Sequence, residues 1–208
     1  MMLQLIKKDI VFNLKWALVL VAIATIYPVV FLMDGDTRFI LMVFIIGTML
    51  ANSHFVSKAC YLDDNMQTRR FLASLPVTKM QLILSKYLLG LLCIVVSLSL
   101  TSLSSFALGL KPCIQGIQIA TIYLLLYYAV FLGVYFKTNY SNAEKANTAL
   151  LLLTIMSAFA IDRGGVNLDK MVINQTTLLA GLGICILTYA ASIFTSVFSS
   201  NHFETGNS

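Results

Sequence analysis

The sequence predicts an all-α membrane protein, on the basis of its apolar composition, its long hydrophobic runs and the distribution of its basic residues. Hydrophobic residues make up 59% of the 208 residues and charged residues only 11%, whereas soluble domains carry roughly 25% charged residues. The mean hydropathy is +0.86. This composition excludes a water-soluble globule, and the length fits one membrane domain with no soluble domain attached.

Six hydrophobic runs are predicted to cross the membrane, because a helix needs about 20 apolar residues to span the hydrocarbon core. They are approximately residues 14–33, 39–56, 82–108, 113–136, 146–161 and 176–198. The fifth run is short and gains length from its polar lead-in, residues 142–147. Together the spans define a transmembrane domain over residues 14–198, followed by a short polar tail at 199–208.

Residues 1–13 are predicted to form an amphipathic helix that lies in the cytosolic interface of the membrane. Apolar residues recur at helical spacing, at Leu3, Ile6, Ile10, Val11 and Leu14. Polar residues fall mostly on the opposite face, at Lys7, Lys8, Asp9 and Asn13. Trp16 then lies at headgroup level. The alternative is a simple lead-in to the first span.

The basic residues predict the orientation of the chain. If the N-terminus is cytosolic, ten of the 14 Lys and Arg residues fall on the cytosolic side, and so does the whole net charge of +5. Cytosolic loops of membrane proteins carry such an excess. We therefore expect the protein to lie in the plasma membrane, with both termini in the cytosol. The charge reflects membrane orientation, so no nucleic-acid partner is expected.

One polar segment, residues 57–81, separates the second span from the third, and it contains two helix-start signals. Asp64 with Gln67 three residues later predicts an N-cap. Thr78 with Gln81 has the spacing of a capping box and predicts the start of the third span. The segment therefore predicts a short helix, a break and a long membrane helix.

The short helix, predicted over residues 66–75, is amphipathic and ends before Pro76, because proline disfavours helical geometry in the residue before it. One face carries Thr68, Phe71, Leu72 and Leu75, and the other carries Arg69, Arg70 and Ala73. Two interpretations stay open. The helix rests on anionic lipid, or its apolar face fits a groove on a soluble partner.

The stretch from Phe71 to Lys79, followed by Ser85-Lys86-Tyr87-Leu88, resembles the cytosolic signature of short ABC-2 type permeases, the membrane subunits of ATP-driven exporters. The six-span layout resembles that family along the whole chain, and the motif agreement covers residues 63–88. The resemblance implies that residues 68–75 form a coupling helix that contacts a separate ABC ATPase, with Pro76 as the break. The chain departs from the family in lacking a sizeable external domain.

Motifs for catalysis are absent from the sequence. It contains no GxxxxGK[ST] phosphate-binding loop, so ATP and Mg²⁺ are expected on a partner ATPase and no cofactor on this chain. It also contains no HExxH or GxSxG motif, so no enzyme activity is expected. The four cysteines form no CxxC pair and are predicted to be buried, reduced thiols, and no metal site is expected. Those cysteines are Cys60, Cys93, Cys113 and Cys185.

Polar residues inside the spans are candidates for lining a transport path: Thr48, Asn52, Ser97, Thr101, Ser104, Ser105, Tyr123 and Tyr127. Helix packing is the favoured alternative for the Ser and Thr residues. Asn52 and the tyrosines are better lining candidates, because larger polar groups need a partner in a dry bilayer. Acids and bases are missing from the apolar runs, apart from His54 and Lys86 near their ends, which disfavours an ion-coupled carrier.

These features predict the permease subunit of an ATP-driven exporter, active as a homodimer or heterodimer. The resemblance includes bacterial exporters of phenol-soluble modulins and of antimicrobial peptides, so the cargo it implies is an amphipathic peptide. An uncharged wall of hydroxyl groups, tyrosines and leucines suits such a cargo. The alternative function is a non-transporting assembly or sensor subunit that holds a soluble partner.

Overall fold

A computed structural model of the chain describes residues 2–32, 43–65, 67–68, 72, 77–109, 114–163 and 175–199. Within these ranges the chain is almost entirely helical and contains no strand, which confirms the predicted all-α class. A π-helical turn, Val43–Gly47, leads into the third helix. The described ranges contain seven long α-helices: α1 (Met2–Phe12), α2 (Leu14–Leu32), α3 (Thr48–Asp64), α4 (Lys79–Ala107), α5 (Ile114–Lys137), α6 (Tyr140–Arg163) and α7 (Gln175–Ser199).

Three of the described helices, α4, α5 and α7, are long and apolar enough to cross a membrane. The bent pair of α1 and α2 adds a fourth candidate if it counts as one span. Helix α3 has only 17 residues, and α6 begins with a polar stretch at residues 140–147. The described helices therefore do not confirm the count of six spans, which remains a prediction.

Asn13 lies at a sharp bend of 80° between α1 and α2. Its side-chain Nδ2 donates a hydrogen bond to the carbonyl of Asp9 at 3.0 Å, which satisfies a carbonyl at the end of α1. Its own carbonyl accepts from the backbone N–H groups of Trp16 at 2.8 Å and Ala17 at 2.9 Å, which begins α2. One residue thus ends the first helix and starts the second.

Aromatic side chains of α4, α5 and α7 fill the centre of the bundle. Tyr87 and Tyr128 are almost fully buried. The Tyr189 hydroxyl donates to the carbonyl of Tyr87 at 2.7 Å and ties α7 to α4. The Ser192 hydroxyl donates to the carbonyl of Ala129 at 2.6 Å and ties α7 to α5. These two hydroxyl groups are therefore paired between helices, as a low-dielectric interior favours.

The capping box predicted at the start of α4 is confirmed. The Thr78 hydroxyl accepts from the backbone N–H of Gln81 at 3.3 Å, and the Gln81 side chain accepts from the backbone N–H of Thr78 at 3.2 Å. Residue 78 itself has extended backbone angles. This reciprocal pair fixes the position at which α4 begins.

Candidate functional site

Lys86 lies two turns into α4, and its ammonium group is buried between three helices. Only 1% of its side chain is exposed. Its Nζ lies 2.8 Å from Oδ2 of Asp9 on α1 and 2.6 Å from Oδ2 of Asp63 on α3. It also donates to the carbonyl of Ala59 at 3.2 Å. A single lysine therefore joins the N-terminal helix and the end of α3 to the start of α4.

Lys8 completes this arrangement from α1. Its Nζ lies 2.8 Å from Oδ1 of Asp63 and 3.2 Å from Oδ1 of Asp9. Lys8, Asp9, Asp63 and Lys86 thus form a neutral group of two ammoniums and two carboxylates, here called the charge cluster. Its charges are compensated inside the protein, since an uncompensated charge at such a depth would cost several kcal/mol.

The carboxyl group of Asp63 remains ionised at neutral pH. Burial alone would raise its pKa, but the neighbouring ammonium groups of Lys86 and Lys8 hold the pKa below its ordinary value. This pairing stabilises the fold above the ordinary carboxylate pKa, and the stabilisation is lost only as the pH falls through the lowered value. The cluster is therefore a fixed ionic contact at physiological pH.

The polar residues of helix α1 do not lie where the sequence predicts. Asp9 and Asn13 were assigned to a polar face opposite the apolar one, yet each is only 2% exposed and faces the bundle. Apolar side chains of the same helix are exposed instead, including Leu3 at 81% and Phe12 at 74%. The reason is Lys86, which requires counter-charges from a neighbouring helix. The interfacial position of α1 itself remains a prediction.

Between residues 66 and 76 of the polar segment, the structure describes Gln67, Thr68 and Leu72, all of which are helical. Leu72 is only 6% exposed and belongs to the hydrophobic core of the chain. Its side chain therefore packs against the bundle, and its role as a coupling residue stays a prediction. The other predicted coupling residues lie outside the described residues: Arg69, Arg70, Phe71, Leu75 and Pro76.

The N-cap predicted at Asp64 is wrong by one residue. Asp64 is the last residue of α3. Asn65 follows with extended backbone angles, and its side-chain oxygen accepts from the backbone N–H of Gln67 at 3.2 Å. Asparagine and aspartate are equally good N-caps, so the sequence alone does not separate the two positions.

Asn52 is the centre of a polar network between α3, α4 and α5. Its Nδ2 donates to the Ser97 hydroxyl and to the carbonyl of Thr48, each at 2.7 Å. Its Oδ1 accepts from the Tyr128 hydroxyl at 2.8 Å. Thr48, Asn52 and Ser97 are all fully buried. In this chain they hold three helices together.

The remaining lining candidates other than Tyr123 also have hydrogen-bond partners within the chain. Tyr123 lies half-buried on α5. The Thr101 hydroxyl donates to the carbonyl of Ala24 at 3.3 Å and joins α4 to α2. The Tyr127 hydroxyl donates to Oδ1 of Asn147 at 2.9 Å and joins α5 to α6. Hydroxyls of Ser104 and Ser105 donate within α4, to the carbonyls of Leu100 and Thr101. A role of these residues in lining a path stays a prediction.

Three of the four cysteines are described, and all three are buried, free thiols. Burial raises the pKa of the Cys60 thiol. A thiol of this kind is a poor nucleophile, because the reactive form is the thiolate. Among the described residues no group of His, Cys, Asp or Glu side chains could hold a metal ion.

A cavity of about 240 Å³ lies beside the charge cluster. Its lining includes Phe12 and Asn13 of the first bend, Leu62 and Asp63 at the end of α3, and Thr68 of the polar segment. The cavity therefore lies where the first helix, the charge cluster and the polar segment meet.

The structure is a helical bundle in which several described helices are long and apolar enough to cross a membrane. Its described buried ion pairs lie together at one end. These features define an integral membrane protein. Residues 4–200 match the family model described as ABC-2 family transporter protein, and the chain belongs to this family. Such permeases are membrane components of transporters that work with an ABC ATPase. Comparisons with curated proteins and with solved structures returned no match.

Proposed function

We propose that this chain is the permease subunit of an ATP-driven exporter, with six spans and a cytosolic N-terminus. A separate ABC ATPase binds ATP and Mg²⁺ and contacts residues 68–75. Membership of the ABC-2 transporter family supports the permease role. The absence of a phosphate-binding loop from the sequence supports a separate source of energy.

The observation that carries this proposal is the attachment of the polar segment to α4 at both of its ends. At the end of α3, Asp63 is ion-paired with Lys86 of α4. At the other end, the capping box of Thr78 and Gln81 begins α4 itself. Leu72, between them, is packed into the core. A force applied to the segment therefore reaches α4 through the ion pair of Asp63 and Lys86 and through the capping box.

Helix α4 is long enough to carry a displacement across the membrane. It has 29 residues, which at a rise of about 1.5 Å per residue gives a length of roughly 43 Å. Its middle contacts α2 through Thr101 and α3 through Ser97. We infer that ATP-driven movement of residues 68–75 shifts α4 against these helices and opens the path.

The proposed cargo is an amphipathic peptide, and the working unit is a dimer of this chain with a second permease copy. Polar groups of the described core are uncharged except for the charge cluster, whose four charges neutralise one another. Such a wall offers hydroxyl groups and apolar surface to a peptide and no free counter-charge to a small ion. The same neutrality disfavours an ion-coupled carrier.

Co-purification tests the proposed contact between residues 68–75 and the ATPase directly. The double variant Phe71→Asp with Leu75→Asp places two carboxylates on the predicted docking face. We expect the ATPase to be lost from affinity-purified complexes while membrane insertion is retained. Phe203→Asp, in the C-terminal tail, is the matched control and should leave co-purification intact. Unchanged co-purification of the double variant would remove the docking site.

A further inference from the structure

Lys58 of α3 is held by aromatic rings, in contrast to the lysines of the charge cluster. Its Nζ lies 5.5 Å from the centre of the Trp16 ring of α2 and 5.0 Å from the centre of the Tyr61 ring. Within the described part of the chain it makes no ion pair with a carboxylate. The rings attract the ammonium group through their negative faces but carry no formal charge. The positive charge of Lys58 is therefore not neutralised by the residues around it.

Two further aromatic contacts fix the surroundings of Lys58. The ring of His54, one turn earlier on the same face of α3, stacks on the Trp16 ring with the centroids 6.3 Å apart and the planes inclined by 18°. The Tyr61 ring meets the ring of Tyr140 on α6 edge to face, at 5.2 Å. Trp16, His54, Lys58 and Tyr61 are here called the aromatic-lysine site. It is built on α2 and α3 and supported by α6.

The polar groups of the aromatic-lysine site are mainly hydrogen-bond donors. The ammonium group of Lys58 carries three N–H bonds, the indole of Trp16 carries one, and the Tyr61 hydroxyl and the His54 ring can each donate. Among the described residues none of these groups has a hydrogen-bond acceptor. Several donors and one uncompensated positive charge match a ligand that brings negatively charged oxygens.

The site is accessible from the flank of the bundle. His54 is exposed, Tyr61 is 51% exposed, and Lys58 and Trp16 are half-buried. His54 lies ten residues before the end of α3 at Asp64, which corresponds to roughly 15 Å along the helix. A side chain exposed so far from the helix end faces the surroundings of the bundle, which are lipid in a membrane protein. Tryptophan and tyrosine side chains concentrate at the level of the lipid headgroups.

The charges around the site favour a lipid with a net negative charge. Lys15, next to Trp16 in the chain, is also exposed. Glu144 of α6 interacts with the Tyr140 hydroxyl and forms no ion pair with Lys58. A zwitterionic headgroup also contains a phosphate, but its cationic end would be repelled by the lysines. An anionic headgroup offers the phosphate oxygens without this repulsion, and basic residues near the membrane surface attract such lipids.

We propose that the aromatic-lysine site binds the phosphate of an anionic phospholipid. Lys58 provides the charge, and the Trp16 indole and the Tyr61 hydroxyl provide further donors. The lipid belongs to the leaflet nearest the charge cluster, because Lys58 precedes Asp63 of that cluster by little more than one turn of α3. This inference is independent of the exporter proposal, since it needs only a bundle that lies in a membrane. The bound headgroup contacts side chains of both α2 and α3.

The first test measures headgroup preference on the full-length protein. Native mass spectrometry compares the binding of phosphatidylglycerol and of phosphatidylcholine with the same acyl chains. We expect phosphatidylglycerol to bind at least about tenfold more tightly, which is the effect of one charge-assisted hydrogen bond. Soluble glycerophosphoglycerol has the same headgroup without acyl chains and should not displace the lipid at equal concentration. Equal binding of the two lipids would overturn the proposal, and so would equal competition by the soluble headgroup.

Substitution of Lys58 separates a defined site from general attraction to basic residues. Lys58→Met removes the charge and should abolish the preference for phosphatidylglycerol, whereas Lys58→Arg keeps the charge and the ring contacts and should retain it. Lys137→Met, at an exposed lysine that ends α5, removes the same charge without an aromatic site and is the matched control. If Lys58→Met and Lys137→Met weaken the preference equally, the site is wrong.

A measurement on the unaltered protein locates the lipid even if Lys58→Met does not fold. Phosphatidylglycerol with a photoreactive diazirine in its headgroup is cross-linked to the protein, and the labelled peptides are identified by mass spectrometry. We expect the label on residues 54–61 and around Trp16, and an excess of unlabelled phosphatidylglycerol should prevent it. Labelling confined to other parts of the chain would contradict the proposed site.

Discussion

Lys86 lies in an otherwise apolar part of α4, and its ammonium group meets carboxylates from two other helices. Burying an ion pair contributes little net stability, because both groups lose their hydration. Removing only one partner is different, since the remaining charge stays buried without compensation. The ion pairs of Lys86 with Asp9 and Asp63 therefore make the packing of α1, α3 and α4 interdependent.

Replacing Lys86 with methionine, which has a similar length, tests this dependence. Lys86→Met leaves two buried carboxylates with only Lys8 between them, and we expect it to destabilise the protein by about 3–5 kcal/mol. Thermal unfolding in detergent measures the loss. Lys145→Met, at an exposed lysine of α6, is the control and should change stability by less than about 0.5 kcal/mol.

A second substitution distinguishes lost charge compensation from lost packing. Lys86→Met combined with Asp9→Asn removes one charge of each sign and leaves Lys8 paired with Asp63. We expect the double variant to recover part of the stability lost by Lys86→Met alone. If the two substitutions destabilise additively, the charge cluster does not act as a unit.

In the sequence, Lys86 stands out only as a base near one end of the third hydrophobic run, and no counter-charge was predicted for it. Asp9 lies 77 residues away along the chain, and helical periodicity placed Asp9 on a solvated face. Periodicity orders the residues of one helix but carries no information on which helix packs beside it. The partner becomes visible only in the fold.

Two glycines of the bundle differ in the space around them, so that their substitution tests how closely the helices pack. A Cβ atom added at Gly47, in the π-helical turn before α3, would lie 2.8 Å from the Tyr27 ring of α2. A Cβ atom at Gly183, within α7, would meet nothing within 4 Å. Gly47 thus permits the close approach of α2, whereas Gly183 faces open space.

Alanine at these two glycines should therefore have opposite effects. We expect Gly47→Ala to destabilise the protein by about 1–3 kcal/mol, because Tyr27 must move. Gly183→Ala should stabilise it by up to about 1 kcal/mol, because alanine is the better helix former. Thermal unfolding of the two variants side by side measures the difference. If Gly47→Ala leaves the stability unchanged, the contact between Gly47 and α2 is loosely packed.

Helix starts were predicted well where the signal is local and less well where it is not. The capping box of Thr78 and Gln81 involves only neighbours in sequence, and the structure confirms it. The cap before Gln67 was assigned to Asp64 and falls on Asn65, since α3 continues through Asp64. The buried position of Leu72 depends on tertiary packing, so the amphipathic pattern of its helix could not predict it.

The orientation of the whole chain follows from the distribution of its basic residues and can be measured with single cysteines. We expect a cysteine at position 163 to react with a membrane-impermeant maleimide from outside, and one at position 69 only after the membrane is opened. Cys60 should give little background, because its thiol is buried and burial raises its pKa. The reverse labelling pattern would contradict the positive-inside assignment.

At the scale of the whole molecule, composition was sufficient to predict a helical membrane bundle, and the resemblance was sufficient to predict its family. Composition was not sufficient to predict the number of membrane spans. Helix α3 combines apolar residues with Lys58, Asp63 and Asp64 in its second half, so hydropathy alone does not decide how far it enters the membrane. Near its C-terminal end it carries Asp63 of the charge cluster, whose ion-pair partners the sequence pattern did not reveal.

Reconstitution tests the central claim most directly, namely that this bundle provides the path and a separate ATPase provides the energy. Proteoliposomes containing the chain with or without its co-purified ATPase are loaded with a fluorescent amphipathic helical peptide, and its movement against a gradient is followed. We predict uphill movement only when the ATPase, ATP and Mg²⁺ are all present. Uphill movement by the isolated chain, without any nucleotide-hydrolysing partner, would contradict the account.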